Sequence, residues 1–450
     1  MTRDGSIATE AEGVDLMKRI SALAWLLIFA AAARADDWPQ WMGPTRDGHW
    51  REAGIVRTLP PDGPKVLWRA PIRAGYAGPA VAAGRVFVTD YETDGDTSGD
   101  PSRRASLSGR ERVFCFDAAT GKEIWRHAYD CPYHISYPAG PRCTPTVDGD
   151  RVYTLGAEGN LLCFDAATGS VRWNKSLKEE YGIAAPMWGF TGHPLIDGNK
   201  LICLVGGDGS TLVAFDKVTG KEIWRSLSSR EPGYCPPSLI TAGGARQLII
   251  WTAESIHSVD PETGKPYWSV PLEPQYGMAI MAPRRSGDYL FAGGIGWKSA
   301  LLKLDANSPR ADLVWYGKRD TSVYPVNSTP IVDGDVLYGV DQPGQLRAVR
   351  VATGERLWET TAPTTGAKPA SSGTAFLVKN GDRYFIFNEK GELIIAKLTP
   401  ERYEEISRAK LLEPTNTCFG RPIVWSHPAF ANKCMFARND KELICVSLAE

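Results

Sequence analysis

The sequence predicts an all-β fold, an eight-bladed β-propeller of four-stranded blades, on three observations: a ten-residue phrase that recurs along the chain, a second signature upstream of it that occurs eight times, and incomplete copies at the two ends that complete one another. Composition agrees. The 450 residues are 43% hydrophobic and 10% aromatic, enough for a large core, while 45 Gly and 32 Pro exceed what a helical protein of this length tolerates.

The phrase reads FDAATGKEIW from Phe116, FDAATGSVRW from Phe164, FDKVTGKEIW from Phe215, VDPETGKPYW from Val259 and VRVATGERLW from Val349. Trp125, Trp173, Trp224, Trp268, Trp315 and Trp358 are separated by 48, 51, 44, 47 and 43 residues, the period of one propeller blade. An apolar strand delivers Asp117, Asp165 or Asp216, whose carboxylate caps backbone N–H groups of the turn. Gly121, Gly169 or Gly220 then supplies the positive φ of a tight hairpin with a bulge. The Trp of the next strand is expected to wedge against the neighbouring blade, so these residues read as structural.

Upstream of each phrase stands a small or polar residue, Pro, an apolar stretch, a turn and another strand, as in Thr144-Pro145 through Tyr153. Counterparts begin at Gly78-Pro79, His193-Pro194, Pro236-Pro237, Ala282-Pro283, Thr329-Pro330, the Pro-less Ser372-Gly373, and His427-Pro428, which makes eight innermost strands. Proline fits at a strand entrance, where no ladder donor is needed. The last copy ends before its Trp strand, and Trp68 near the other end belongs to an orphan strand. Joining the two closes the ring and removes exposed sheet edges. Blade 7 carries Ile406 where Trp is expected, and blade 5 replaces the Thr-Gly turn by Asn307-Ser308-Pro309. Residues 36–450 are read as a single domain.

The phrase, the Pro-led inner strand and the opening Asp37-Trp38-Pro39-Gln40-Trp41-Met42-Gly43-Pro44 resemble the PQQ-like (quinoprotein-type) repeat propellers over nearly the whole mature chain. That resemblance implies the fold. For activity it implies two directions, since the family holds quinone-dependent alcohol dehydrogenases and also non-catalytic members such as the outer-membrane assembly lipoprotein BamB, which binds proteins through its surface. The quinone enzymes are typically larger and carry adjacent disulfide-bonded cysteines with Ca²⁺ held by Glu, Asn and Asp. This chain has no Cys-Cys pair, and Asp36 stands where a lipobox cysteine would be.

A secretory signal is read from Met17: Lys18 and Arg19, then apolar Ile20 to Ala33, then Ala33-Arg34-Ala35 as the cleavage site, so that export to the periplasm or exterior follows. A transmembrane anchor is the rival reading, but such a stretch is short for a bilayer core about 30 Å thick. The mature chain has no transmembrane span, and a monomer is expected. Cys131 and Cys143 bracket a loop and are the candidate disulfide among nine cysteines; Cys115, Cys163 and Cys445 share one repeat position and read as small buried hydrophobes.

Loops entering the innermost strands line one mouth of the funnel, where propeller ligands sit. The ligand-binding candidates there are Arg142, Trp188, His193, Tyr234, Asn327, Lys368, Arg421, Trp425 and His427, with Tyr76, His134, Tyr137, Phe190, Met278 and Tyr324 in the same loops. Trp188 with Arg142 or Arg421 suits a planar anion or a sugar. His193 and His427 hold equivalent positions and both are expected to face the axis, but a metal needs a further ligand and none clearly converges. Asp94, Asp96 and Asp100 have the alternating spacing of a Ca²⁺ loop, with Ala105 where a bidentate Glu belongs.

Lys and Arg (51) balance Asp and Glu (52), so no basic surface for nucleic acid is expected. Nucleophile elbows, phosphate loops and Cys-x-x-Cys pairs are missing from the sequence. The leading expectation is a non-catalytic binding protein of the envelope that holds a protein or glycan, without a cofactor. The alternatives are a PQQ-dependent alcohol dehydrogenase-like oxidoreductase, with PQQ and Ca²⁺ as its cofactors, and a carbohydrate-binding or carbohydrate-active propeller.

Overall fold

The computed structural model describes residues 36–98 and 102–450, with Asp37–Glu450 forming one compact unit. The signal-sequence residues and Asp100 lie outside the described residues. Eight four-stranded antiparallel sheets follow the repeat. Seven of the innermost strands start directly after the signature prolines, at Ala80, Thr146, Leu195, Ser238, Arg284, Ile331 and Ala429, and blade 7 starts at Ala375. The eighth sheet takes Ala429–Ala431, Cys434–Arg438 and Glu442–Ser447 from one end of the chain and Val66–Pro71 from the other. Trp68 pairs with Cys445 there, so the ring is closed by the N-terminal strand as expected.

What joins the blades is visible at each Trp. Trp68 donates its indole N–H to Ala118 O at 2.9 Å, Trp125 to Ala166 O at 3.1 Å, Trp173 to Lys217 O at 3.2 Å, and Trp224 to Pro261 O at 3.2 Å. Every acceptor lies in the turn of the next blade. The ring face meets the glycine of that same turn: a Cβ on Gly121 would come within 2.6 Å of Trp68, and one on Gly169 within 2.5 Å of Trp125. Glycine is therefore required twice, by φ values of 69° and 73° and by the indole lying on it. The Asp cap is present as well, with Asp117 Oδ1 accepting from Thr120 N at 2.8 Å and from its hydroxyl at 2.7 Å.

The turn of blade 7, Thr399 to Arg402, lacks the glycine but still accepts from the Trp358 indole N–H at 2.8 Å, while two further departures are linked to a changed partner. The turn of blade 5, Asn307-Ser308-Pro309, has no glycine to receive a ring, and Trp268 of blade 4 instead donates to Gln247 Oε1 of its own sheet at 2.9 Å. In blade 7 the residue aligned with the blade tryptophans is Ser407, opposite Ile395; Ile406 is the extra residue of the bulge, so the expectation for Ile406 is off by one. Ser407 Oγ accepts from Leu59 N at 2.9 Å, and the N-terminal segment thus covers the site of the missing ring.

Cys115, Cys163 and Cys445 do share one place, each directly opposite a blade Trp, where a small apolar side chain leaves room for the ring. The candidate bridge is corrected. Cys131 and Cys143 are buried free thiols, Cys131 donating to Asn160 Oδ1 and Cys143 to Phe190 O, so the two sulfurs serve different partners.

The segment from Asp37 to Leu59 makes a circuit of the axial channel. Trp38 bridges Val81 of blade 1, Val147 N of blade 2 donates to Pro39 O, and Arg46 donates to His193 O and Pro194 O at the entrance of blade 3. Arg284 of blade 5 donates to Arg46 O, a Cβ on Gly48 would strike Ile331 of blade 6, Trp50 N donates to Lys379 O of blade 7, and Val56 N to Leu448 O beside blade 8. Trp38, Trp41 and Trp50 are each no more than 3% exposed, so this plug is held by apolar burial as well as by hydrogen bonds.

The paired glycine and Trp contacts yield a direct test. Gly169→Ala should lower stability by about 2 kcal/mol or more, because it combines strain with a clash on Trp125. Gly149→Ala, at φ 59° with open space around it, should cost only about 1 kcal/mol. Urea unfolding of both variants checks this; equal losses would remove the indole contact from the account.

Candidate functional site

A cavity of about 1050 Å³ opens at the mouth of the propeller axis. Its wall is built mainly from the loops that enter the innermost strands, and among the described lining residues Phe376 alone is placed in a strand. The floor is aromatic. Trp41 of the plug stacks on His193 at 5.1 Å with an interplanar angle of 14°, and meets His427 edge-on at 6.1 Å. The two imidazoles, from blades 3 and 8, lie 6.5 Å apart at 90°, so both do face the axis.

Their hydrogen bonds define them as neutral groups. His193 Nδ1 accepts from Thr144 N at 3.0 Å, and His427 Nε2 accepts from the Trp41 indole N–H at 3.4 Å. Burial pushes both below the usual range, His427 to about 3, and the neighbouring Arg46 and His427 push His193 the same way. Arg46 itself is buried and brought down to about 10 by desolvation, still a cation at neutral pH, with its charge spread over two backbone carbonyls.

Two aromatic groups rise from this floor. Over blades 8 and 1, Trp425 lies 6.0 Å from Tyr137, Tyr137 lies 6.5 Å from Tyr76, and the Arg142 guanidinium covers Tyr76 at 5.3 Å. Over blades 3 and 4, Trp188 meets Tyr234 edge-on at 5.6 Å. Trp188, Tyr76, Tyr137 and Trp425 are half-buried and so present ring surface to the cavity. Burial raises the Tyr76 and Tyr234 hydroxyls well above the usual phenol range, which makes them neutral hydrogen-bonding groups.

Of the nine candidates, Arg142, Trp188, His193, Tyr234, Asn327, Trp425 and His427 line this cavity, while Lys368 and Arg421 are outside its wall. The pairing of Trp188 with a free arginine is not what the geometry supplies. Arg142 donates to the carbonyls of Ser136, Tyr137 and Gly140, bracing its own loop. Arg421 forms an ion pair with buried Glu389 at 2.8 Å, and Glu389 also accepts from Trp425 Nε1 at 3.2 Å. Tyr324 and Phe190 are buried in the packing between loops. Asp96 accepts from Ser98 N and its hydroxyl, an ordinary turn cap, and among the described residues no group of three or more His, Cys, Asp or Glu is arranged around a metal.

Sequence reasoning missed the plug. Trp41 was noted only as part of an opening motif, and its role as the cavity floor depends on a contact between residues 152 and 386 positions apart along the chain. Met187, Arg230, Glu231 and Tyr276, which complete the wall, stand in segments with no repeat signature.

The family model described as outer membrane protein assembly factor BamB matches residues 52–141, 109–360 and 252–450. The chain belongs to the BamB family of PQQ-like propellers. Among solved structures, BamB from Moraxella catarrhalis is similar at 16% identity with a TM-score of 0.55, covering 85% of this chain and 99% of that one. Quinohemoprotein alcohol dehydrogenase from Comamonas testosteroni is similar at 15% identity with a TM-score of 0.62, covering 94% and 82%. A europium-containing methanol dehydrogenase follows at 11% identity, with a TM-score of 0.59 and coverage of 91% and 89%. At these identities the likeness establishes fold alone. A search of curated proteins gave no match.

PQQ is a planar tricarboxylate held with a divalent cation in the dehydrogenases that the resemblance implies. The residues of this cavity do not fit it. Arg104 and Arg142 are committed to backbone carbonyls, Arg104 to His134 O and Ala185 O, which leaves Arg230 against the three carboxylates of PQQ, and the carboxylates of the described wall are Glu231 and Glu273. The donor set for a hard cation, several converging oxygens, is not assembled there.

The buried histidines set a pH dependence. Their folded pKa values lie below the unfolded value near 6.5, so the unfolded chain takes up protons that the folded one refuses, and stability falls as pH drops from about 6.5 toward 4. Replacing His427 by Gln should flatten this slope relative to the parent chain, measured as thermal midpoint between pH 7 and 4. An unchanged slope would mean that His427 is protonated in the fold.

Proposed function

We propose that the protein is a non-catalytic binding propeller of the cell envelope, which holds its ligand in the plugged axial cavity. The observation that carries this reading is the cavity itself. It is large, floored by Trp41, His193 and His427, and walled by half-buried rings and neutral polar groups, with Arg104, Arg142, Arg230, Glu231 and Glu273 as the charged side chains of the described wall. A titratable pair poised for proton transfer needs pKa values near the working pH. The two imidazoles of the floor are instead held neutral and occupied as acceptors.

Membership of the BamB family supports an envelope location and a binding role, and no helix among the described residues is long and apolar enough to cross a membrane. The exported state follows from the signal read at Met17 to Ala35. A second reading as a quinone-dependent dehydrogenase has the fold in its favour but not the cavity residues.

Mature protein supplied with PQQ and Ca²⁺ should show no dye-linked oxidation of a panel of primary alcohols. A saturable activity that disappears in Trp188→Ala would overturn the binding reading. The same variant should keep the parent thermal midpoint to within roughly 2 °C, since Trp188 is half-exposed and bears little of the fold.

A further inference from the structure

We propose that the axial cavity is one end of a cleft for a neutral, chain-like carbohydrate, which runs outward across blade 3 to the rim. The proposal rests on the binding reading above and names its ligand class. A second cavity of about 630 Å³ lies over the outer loops of blade 3, between Ala184–Met187, Val205–Asp208 and Ser228–Pro232. Arg104, Met187, Arg230 and Glu231 line both cavities, so the two meet along a shared sill. Either volume alone suits a ligand of a few rings; the pair suits a longer chain that crosses the sill.

The chemistry along this path favours sugar. Trp188, packed edge-on against buried Tyr234, stands at the sill side of the axial cavity, with Tyr137 and Trp425 across the mouth, and half-exposed ring faces such as those of Trp188, Tyr137 and Trp425 stack on the apolar faces of pyranose rings. Thr191, Asn327 and Thr329 add hydroxyl and amide groups to the wall, Thr191 donating to Tyr234 O, Asn327 to Thr374 Oγ1, and Thr329 Oγ1 accepting from Ala282 N. Two donors are available to a ligand. The Tyr234 hydroxyl, on a residue 3% exposed, donates to no acceptor among the described residues, and the Arg230 side chain, exposed at the sill, forms no hydrogen bond or ion pair with them. A buried phenol without an acceptor is costly unless a ligand oxygen supplies one. Sugar hydroxyls recur along a chain and both accept and donate, so one ligand type serves both points.

Charge argues against an ionic chain. Arg104, Arg142 and Arg230 are offset by Glu231, Glu273, Glu254 and Asp208 around the combined cleft, and Arg104 and Arg142 already donate to backbone carbonyls. A peptide held by strand addition would need an open edge. The axial wall is almost wholly non-strand, and the rim backbone is internally paired, Val205 N to Thr211 O and Gly206 N to Ser210 O.

Calorimetric titration of the full mature chain with the di- and hexasaccharides of β-1,4-glucan, β-1,3-glucan, α-1,4-glucan and chitin tests this. At least one hexasaccharide should bind, more than about tenfold tighter than its disaccharide, because only the longer chain crosses the sill. Trp188→Ala should abolish binding of both lengths, whereas Arg230→Ala should weaken the hexasaccharide several-fold and leave the disaccharide unchanged. Equal affinity at both lengths would overturn the extended cleft, and failure of all eight saccharides would overturn the carbohydrate assignment. In that event, screening an extended-peptide library decides the parent reading. Peptide binding lost in Trp188→Ala keeps the cavity as a binding site for another class, and no binding of either class removes it.

Discussion

The indole laid on the next blade's glycine is the contact on which the rest of this molecule depends. A propeller blade is a small twisted sheet with an apolar face on either side, and it is stable only when each face is covered by a neighbour. In blade after blade the Trp ring covers the glycine of the following turn while its N–H satisfies a carbonyl there, so one residue provides both apolar burial and register. The arrangement is directional, and a directional contact repeated around an axis must close on itself. Trp68, contributed by the N-terminal strand, is the ring that closes it.

Where one half of the contact is absent, the other half changes with it at two joints, whereas Trp358 keeps its bond to Thr399 O at 2.8 Å over a turn without glycine. Trp268 finds no glycine in the turn of blade 5 and bonds Gln247 within its own sheet; Ser407 replaces the ring in blade 7 and Leu59 of the plug covers the vacancy. The departures show that the joint between blades, rather than the blade itself, is what the repeat encodes.

A closed ring leaves a channel, and the plug enters it and supplies part of the cavity floor. That entry places Trp41 against His193 and His427, and burial then keeps both imidazoles neutral. It also concentrates strain at the mouth: Tyr137, Tyr276, Ser372 and Phe419 all line the cavity at φ between 49° and 61°, a region that side chains seldom occupy. Such conformations persist only where a rigid frame over-determines them, and they gather at ligand sites. The frame here is common to binding proteins and dehydrogenases alike, so the functional distinction lies in the loops.

The repeat, the blade count, the ring closure and the strand-entry prolines were all legible in the chain, because each arises from local rules of period, turn and φ that recur at a regular spacing. Most of the mouth residues were legible for the same reason, since Trp188, Tyr234, Asn327 and Trp425 precede identifiable strands. The plug, the commitment of Arg142 and Arg421 to internal partners, the free state of Cys131 and Cys143, and the sill at Arg230 were decided by tertiary structure alone. Each depends on which groups meet after the ring has closed, between positions far apart in the chain, and no local pattern carries that information.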